Sequence, residues 1–186
     1  GLLIVGIGRY TRLLRYVQGF PKEYEATAQF GVATDSLDAD GATIERTPLP
    51  VTMSQLEKAA ERYRGPILQI PPMVSARKVE GKRLYQLARA GEVVEREARA
   101  VEIYELTITD FAPSDYPVVS FNVVCSTGTY VRTLGEDLAG ADGGRAHLTA
   151  LRRTRNGSIS VADAIRIGTI EEAVKAGTIR DLVATH

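Results

Sequence analysis

The chain has 186 residues, and its 23 basic and 23 acidic side chains give a formal net charge of zero at pH 7. A domain of this length buries a core without a metal or a disulfide, and one cysteine with two histidines is too few for a zinc site of protein ligands alone. No apolar run is long enough to cross a membrane, and the first residues lack the charged flank of a signal peptide, so we expect a cytoplasmic protein.

The first half of the chain predicts a strand, a hairpin and a helix. Polar and apolar side chains alternate over residues 22–32, which predicts a half-buried strand. The Asp- and Gly-rich residues 33–41 predict a turn, and the extended residues 42–50 complete a hairpin. Residues 52–63 predict a helix, because two overlapping capping boxes open it: Thr52 with Gln55, or Ser54 with Glu57.

The middle of the chain predicts a loop, a helix and two further strands. Pro71 and Pro72 make residues 69–83 an extended loop, and residues 81–92 have the pattern of a short helix. The β-rich segments 99–109 and 117–126 predict strands. After Gly128 the chain returns to helical periodicity, so we expect a strand-turn-helix junction there.

The last third of the chain predicts a helix around residues 147–153, a short strand near 156–161, and small helices capped by Ser160, Thr169 and Thr178. Hairpin-linked strands outnumber strand-helix-strand patterns along the whole sequence. We therefore predict an α+β fold with a mixed, largely antiparallel sheet flanked by helices.

Basic residues cluster in three windows, residues 9–15, 77–83 and 145–155, which together hold 11 basic residues and one acid, Glu80. Because acids gather elsewhere, the fold could place one basic and one acidic face on the molecule. On spacing alone, ordinary solvated helix faces are a simpler explanation of such small clusters than a basic face built for a partner.

Four blocks of sequence occur in a fixed order: GLLIVGIGRYTRLLRYV, KEYEATAQFGVATDSLDADG, QIPPMVSARKVEGKRLYQLARAGE, and CSTGTYVRTLGEDL followed by AHLTALRRTRNG. Together they resemble the TruB family, the bacterial tRNA pseudouridine-55 synthases, over nearly the whole chain. The first block is similar to the family's glycine-led strand and following helix, and the last to its Gly-Thr-Tyr and Leu-Arg-Arg motifs. The resemblance implies the pseudouridine-synthase catalytic fold and isomerisation of the T-loop uridine U55 of tRNA.

The family's catalytic aspartate lies in a Gly-Thr-Leu-Asp-Pro motif, which this sequence does not contain. We therefore expect residues 1–186 to be a partial catalytic domain, without the N-terminal segment that carries the nucleophilic aspartate and without the family's C-terminal PUA domain. On this expectation the chain alone is inactive and the intact protein is the enzyme. A non-catalytic tRNA-binding or tRNA-folding protein is the alternative, since it explains the missing motif directly.

The resemblance implies catalytic roles for three residues. Tyr24 matches the family's active-site tyrosine and is expected to stack on the flipped uracil, with Tyr130 on a second side of the pocket. For both tyrosines a buried core position is the alternative. Arg132 is expected to pair with the catalytic carboxylate and keep it ionised.

The resemblance also implies substrate contacts. Leu151 matches the family's apolar pocket residue, and Lys22 belongs to the same motif as Tyr24. The side chains expected to hold RNA phosphates are Arg77, Lys82, Arg152 and Arg153. No cofactor or metal is implied, and the expected partner is the T-stem-loop of tRNA, bound by a monomer.

Overall fold

A computed structural model describes residues 1–72, 78–79, 82–83 and 96–184. The described strands are β1 (Lys22–Phe30), β2 (Val32–Thr34), β3 (Thr43–Arg46), β4 (Gly65–Gln69), β5 (Lys78–Val79), β6 (Lys82–Arg83), β7 (Arg99–Ala112), β8 (Val118–Cys125), β9 (Ala146–Asn156) and β10 (Ile159–Ser160). The helices are α1 (Leu14–Gln18), α2 (Met53–Arg62), α3 (Val131–Gly140), α4 (Ile167–Ala176) and α5 (Ile179–Ala184), with 3-10 turns at Gly8–Leu13 and Val161–Asp163.

Six of these strands form one sheet in the order β10-β9-β1-β8-β7-β4, and every neighbouring pair is antiparallel. The alternation predicted for β1 is confirmed, because Ala26, Ala28 and Phe30 are buried on one face while Glu25 is exposed on the other. Helices α2 and α3 pack on the buried face. The largest side chains of this core are Phe30, Phe121, Leu56, Ile103, Leu106, Leu134, Leu138 and Leu148.

Helix α2 begins as its capping pattern predicts. Of the two possible boxes the first one forms: the Gln55 backbone N–H donates to the Thr52 hydroxyl (3.3 Å), and the Thr52 N–H donates to Gln55 Oε1 (3.0 Å). Gln55 Nε2 also donates to Asp142 Oδ1 (3.0 Å), which links α2 to the end of α3. The predicted hairpin is confirmed as β2 and β3.

The helix predicted for residues 147–153 is wrong, because this segment is part of strand β9. Leu148 and Leu151 have the i, i+3 spacing of one helix face, but a β-bulge produces the same spacing. Leu148 lies opposite Ala28 and Leu151 opposite Ala26, two residues apart on β1, so one extra residue is accommodated in β9 between them. Both leucines therefore face the same side of the sheet.

Four smaller expectations also differ from the structure. Residues 1–7 form no strand, although the Leu2 N–H donates to the Arg153 carbonyl (2.8 Å). Helix α4 begins after Arg166 rather than at a Thr169 cap. The extended loop predicted for 69–83 and the helix predicted for 81–92 also differ: Gln69 ends strand β4, and Lys78–Val79 and Lys82–Arg83 pair as β5 and β6. Residues 73–77, 80–81 and 84–92 of these two predictions lie outside the described residues. The remaining strand predictions and the strand-turn-helix junction are confirmed.

Candidate functional site

The junction between β8 and α3 brings together residues that the sequence singled out. Strand β8 ends at Cys125, and Gly128 has φ of +87°, a value that favours glycine and reverses the chain. Ser126 ties this turn to β7, since its hydroxyl accepts from the Glu102 N–H (2.9 Å). Tyr130 then becomes the N-cap of α3, and Arg132 lies in the first helical turn.

Arg132 joins α3 to the Asp-rich turn after β2. Its Nη1 donates to the Ser36 carbonyl (3.3 Å) and lies 3.9 Å from Asp38 Oδ2. The Arg132 side chain is 25% exposed and that of Asp38 38% exposed, so the pair is open to solvent on one side. The expected partner of Arg132 was the catalytic carboxylate, which residues 1–186 do not supply, and the structure adds Asp38 as a partner within them.

The Asp-rich turn is itself held against the sheet. The Leu148 N–H of β9 donates to the Leu37 carbonyl (3.1 Å), and the backbones of Asp38 and Leu148 form an isolated parallel β-bridge. The Thr34 hydroxyl accepts from the Asp38 N–H (3.1 Å) and donates to the Asp38 carbonyl (2.9 Å). These bonds place the Asp38 carboxylate beside Arg132.

Tyr24 and Arg153 lie opposite each other on β1 and β9. Burial raises the pKa of the Tyr24 phenol, and Cys125 adds to this, while a hydrogen bond from Arg153 acts in the other direction. A tyrosine phenol is neutral at pH 7 even at its ordinary pKa of about 10, and the upward shift leaves it so. Arg153 also donates from Nε (2.9 Å) and Nη2 (2.7 Å) to the Leu2 carbonyl, which ties β9 to the first residues.

Lys22 lies at the start of β1, near Tyr24 and Arg153. Its Nζ donates to the carbonyls of Gln18 (2.5 Å) and Phe20 (2.8 Å). Burial lowers the pKa of this ammonium and the nearby Arg153 charge lowers it further, with Cys125 acting in the opposite direction. The structure thus brings Lys22, Tyr24 and Arg153 together.

Leu151 extends this cluster on the same face of the sheet. It lies opposite Ala26, one inward-facing position along from the Tyr24–Arg153 pair, and it is 43% exposed. An apolar side chain left open to solvent beside a half-buried tyrosine is the surface that a flat base can contact.

Other predicted residues lie elsewhere. Arg152 is opposite Glu25, and its Nη1 lies 3.3 Å from Glu25 Oε2 on the face of the sheet away from Tyr24. Arg152 and Arg153 are thus neighbours in sequence that point to opposite faces. Arg77 lies outside the described residues, and Lys82 is described only as backbone of β6.

Acidic partners offset most of the charge in the basic window 145–155. Arg145 is ion-paired with Glu136 and lies 3.8 Å from Glu45, and Arg155 Nε lies 4.0 Å from Glu23. With the Arg152 pair, three of the window's four arginines have acidic neighbours, as ordinary solvated surface would have. In the window 9–15, Arg9 and Arg15 instead lie over the rings of Tyr10 (5.2 Å) and Tyr16 (4.7 Å).

Two residues of the site were not predicted. Asp38 was interpreted only as part of a turn, although its place in the T-D-x-x-D-x-D-G pattern was the available signal. Gln69 hydrogen-bonds the backbone of Tyr130, whereas the sequence placed it at the start of a predicted loop, where its position just before Pro71 and Pro72 was the available signal. Within the described ranges, no three acidic, histidine or cysteine side chains converge as a metal site, and no helix is long and apolar enough to cross a membrane.

Residues 1–131 match the family model of the TruB family pseudouridylate synthase N-terminal domain. The chain is 49% identical over 181 residues to tRNA pseudouridine synthase B of Symbiobacterium thermophilum, which covers 97% of this chain and 59% of that protein. It is 44% identical over 177 residues to tRNA pseudouridine synthase B of Pseudomonas aeruginosa, covering 95% and 57%. The chain thus spans somewhat more than half the length of these relatives.

A solved structure of an H/ACA RNP bound to a substrate RNA contains a similar fold. The TM-score is 0.60 over 90% of this chain and 40% of that chain, with 19% sequence identity. At this identity the likeness concerns the fold alone, and it agrees with the predicted α+β architecture.

Proposed function

Because the chain belongs to the TruB family of pseudouridylate synthases, we propose that the protein carrying it isomerises the T-loop uridine U55 of tRNA to pseudouridine. The observation that carries the proposal is the 49% identity, over 97% of the chain, to a tRNA pseudouridine synthase B. The reaction breaks the C1′–N1 glycosidic bond, turns the uracil and rejoins it through C5. The uridine must therefore leave its stack and enter a pocket.

Tyr24 and Leu151 are the proposed contacts of the flipped uracil. They face the same side of the sheet, and the Tyr24 phenol is neutral at pH 7, which suits stacking on an uncharged base. The Tyr24 phenol oxygen is also proposed to assist proton removal from C5. Tyr130, next to Arg132, is proposed to bound the pocket on a second side.

Arg132 is proposed to orient the nucleophilic aspartate and keep it ionised. The contacts to Ser36 and Asp38 hold its guanidinium, whose five donors in a planar fork can serve more than one oxygen. On the family resemblance the nucleophile lies in a Gly-Thr-Leu-Asp-Pro motif, which residues 1–186 do not contain. We accordingly propose that this chain alone, a partial catalytic domain, has no activity.

The proposed substrate is the T-stem-loop of tRNA, bound in the cytoplasm by a monomer without a cofactor. Lys22 and Arg153 lie beside Tyr24, where they can contact phosphates of the nucleotides next to the flipped uridine. Arg77 and Lys82, which precede β7 in the sequence, are also proposed phosphate contacts. Arg152, on the opposite face of the sheet, would contact a separate phosphate.

The test compares tRNA from a strain lacking the gene with tRNA from its parent, by mapping pseudouridine. We expect loss of one T-loop pseudouridine and its recovery on expressing the whole protein. In vitro, the whole protein should convert an unmodified T-arm transcript, while residues 1–186 should not. A full set of T-loop pseudouridines in the deleted strain would refute the enzyme proposal, and tRNA binding without conversion would favour the non-catalytic alternative.

A further inference from the structure

Gln69 makes two hydrogen bonds to Tyr130 across the site. It is the last residue of β4, and only 2% of it is exposed. Its Oε1 accepts from the Tyr130 N–H (3.0 Å), and its Nε2 donates to the Tyr130 carbonyl (3.3 Å). One amide side chain therefore binds both backbone groups of a residue 61 positions away in sequence.

The residue that Gln69 holds is the start of α3. Tyr130 is the N-cap of that helix and has no side-chain cap, and its carbonyl accepts the first helical hydrogen bond, from the Leu134 N–H (3.0 Å). The position of the N-cap sets where the helix begins, and successive residues are rotated by about 100° around the axis. A helix that began one residue later would turn Arg132 away from Ser36 and Asp38.

We infer that Gln69 is a positioning residue of the site: its amide fixes the N-cap Tyr130 and thereby the direction of the Tyr130 and Arg132 side chains. Glutamine suits this task because it offers a donor and an acceptor side by side, matching one residue's C=O and N–H. The same side chain also interacts with Asp137, about two turns further along α3, where burial raises the pKa of the carboxyl and the hydrogen bond from Gln69 lowers it. This inference rests on the proposed isomerase function and adds to it a residue that touches no substrate.

The proposed role of Gln69 concerns the rate of turnover and leaves the affinity for tRNA unchanged. If Gln69 acts through Tyr130 and Arg132, removing its amide displaces groups that act on the reacting uridine, and displacements of about 1 Å cost up to about 100-fold in rate. Phosphate contacts elsewhere on the protein are unaffected, so the Kd for tRNA should stay within about twofold. A purely structural role would lower only the melting temperature.

The experiment uses the whole protein with a Gln69→Met variant, which keeps the length of the side chain and loses both hydrogen bonds. A second variant, Gln69→Asn, keeps the amide but is one methylene too short to make both bonds. It replaces Gln69→Met in the experiment if that variant does not fold. Val119→Ala is the control: Val119 is fully buried in β8, away from the junction, and its truncation lowers the melting temperature without touching Tyr130. Single-turnover rates on a T-arm transcript and tRNA Kd values are measured well below each melting temperature.

We expect a rate loss of up to about 100-fold in the Gln69 variants, an unchanged Kd, and a near wild-type rate in Val119→Ala. A Gln69→Met protein that turns over at the wild-type rate would overturn the inference. So would an equal rate loss in Val119→Ala, or a fall in affinity that accounts for the loss. Absence of turnover in the wild-type whole protein would refute the proposed function, and the positioning role with it.

Discussion

Replacing Arg132 by lysine in the whole protein should lower the rate of turnover by about 10²- to 10³-fold while leaving tRNA affinity within about twofold. Lysine keeps the positive charge but loses the planar fork, so it cannot reproduce contacts to the Ser36 carbonyl and a carboxylate in one plane. Arg132→Ala should behave in the same way. The lysine variant is the more informative, because charge alone is retained.

The expected loss of stability is too small for unfolding to explain the expected loss of turnover. The hydrogen bond to Ser36 contributes about 1 kcal/mol to stability, and the partly exposed ion pair with Asp38 contributes about 0 to 1 kcal/mol. Their sum of at most about 2 kcal/mol is small beside the 5–15 kcal/mol, roughly, of a typical domain, so the variants should stay folded. Removing one preorganised donor from an active site lowers kcat by about 10²- to 10³-fold.

The assay is single-turnover conversion of a T-arm transcript with protein in excess, together with filter binding of tRNA and a thermal melt of each variant. If Arg132 instead contacts an RNA phosphate, the lysine variant should keep most of its activity and the alanine variant should bind tRNA more weakly. A lysine variant that turns over at the wild-type rate would refute the carboxylate-orienting role.

Three further outcomes are expected. Replacing Arg152 and Arg153 together by alanine should flatten the log-log salt dependence of tRNA binding by about 1 to 2 units, since each phosphate contact releases counterions; an unchanged slope would mean that neither side chain contacts a phosphate. Burial raises the pKa of Asp137 from 3.8 to about 6, so its ionisation costs the folded state about 2–3 kcal/mol as pH rises from about 4 through 6. In urea titrations Asp137→Asn should therefore gain stability over wild type across that range, and a pH-independent difference would contradict this assignment. Thr52→Ala should lower the free energy of unfolding by about 1 kcal/mol, whereas Ser54→Ala, at the box that does not form, should change it much less.

Much of the local structure followed from short-range patterns. The alternation of β1, the capping box of α2 and the turn at Gly128 each depend on residues a few positions apart, and all three form as predicted. The helix predicted over residues 147–153 failed because the bulge that spaces Leu148 and Leu151 arises only when β9 pairs with β1. Local spacing cannot distinguish such a bulged strand from a helix.

The sequence by itself determined the family, the α+β class and the identity of the residues expected in the site, since ordered motifs carry that information without coordinates. Tertiary structure decided which of those residues meet. Pairing of β1 with β9 puts Arg153 beside Tyr24 and sends Arg152 to the other face, and docking of the Asp-rich turn on Leu148 brings Asp38 to Arg132. The Gln69–Tyr130 contact joins residues 61 positions apart, and such contacts depend on how the whole chain packs rather than on any local pattern.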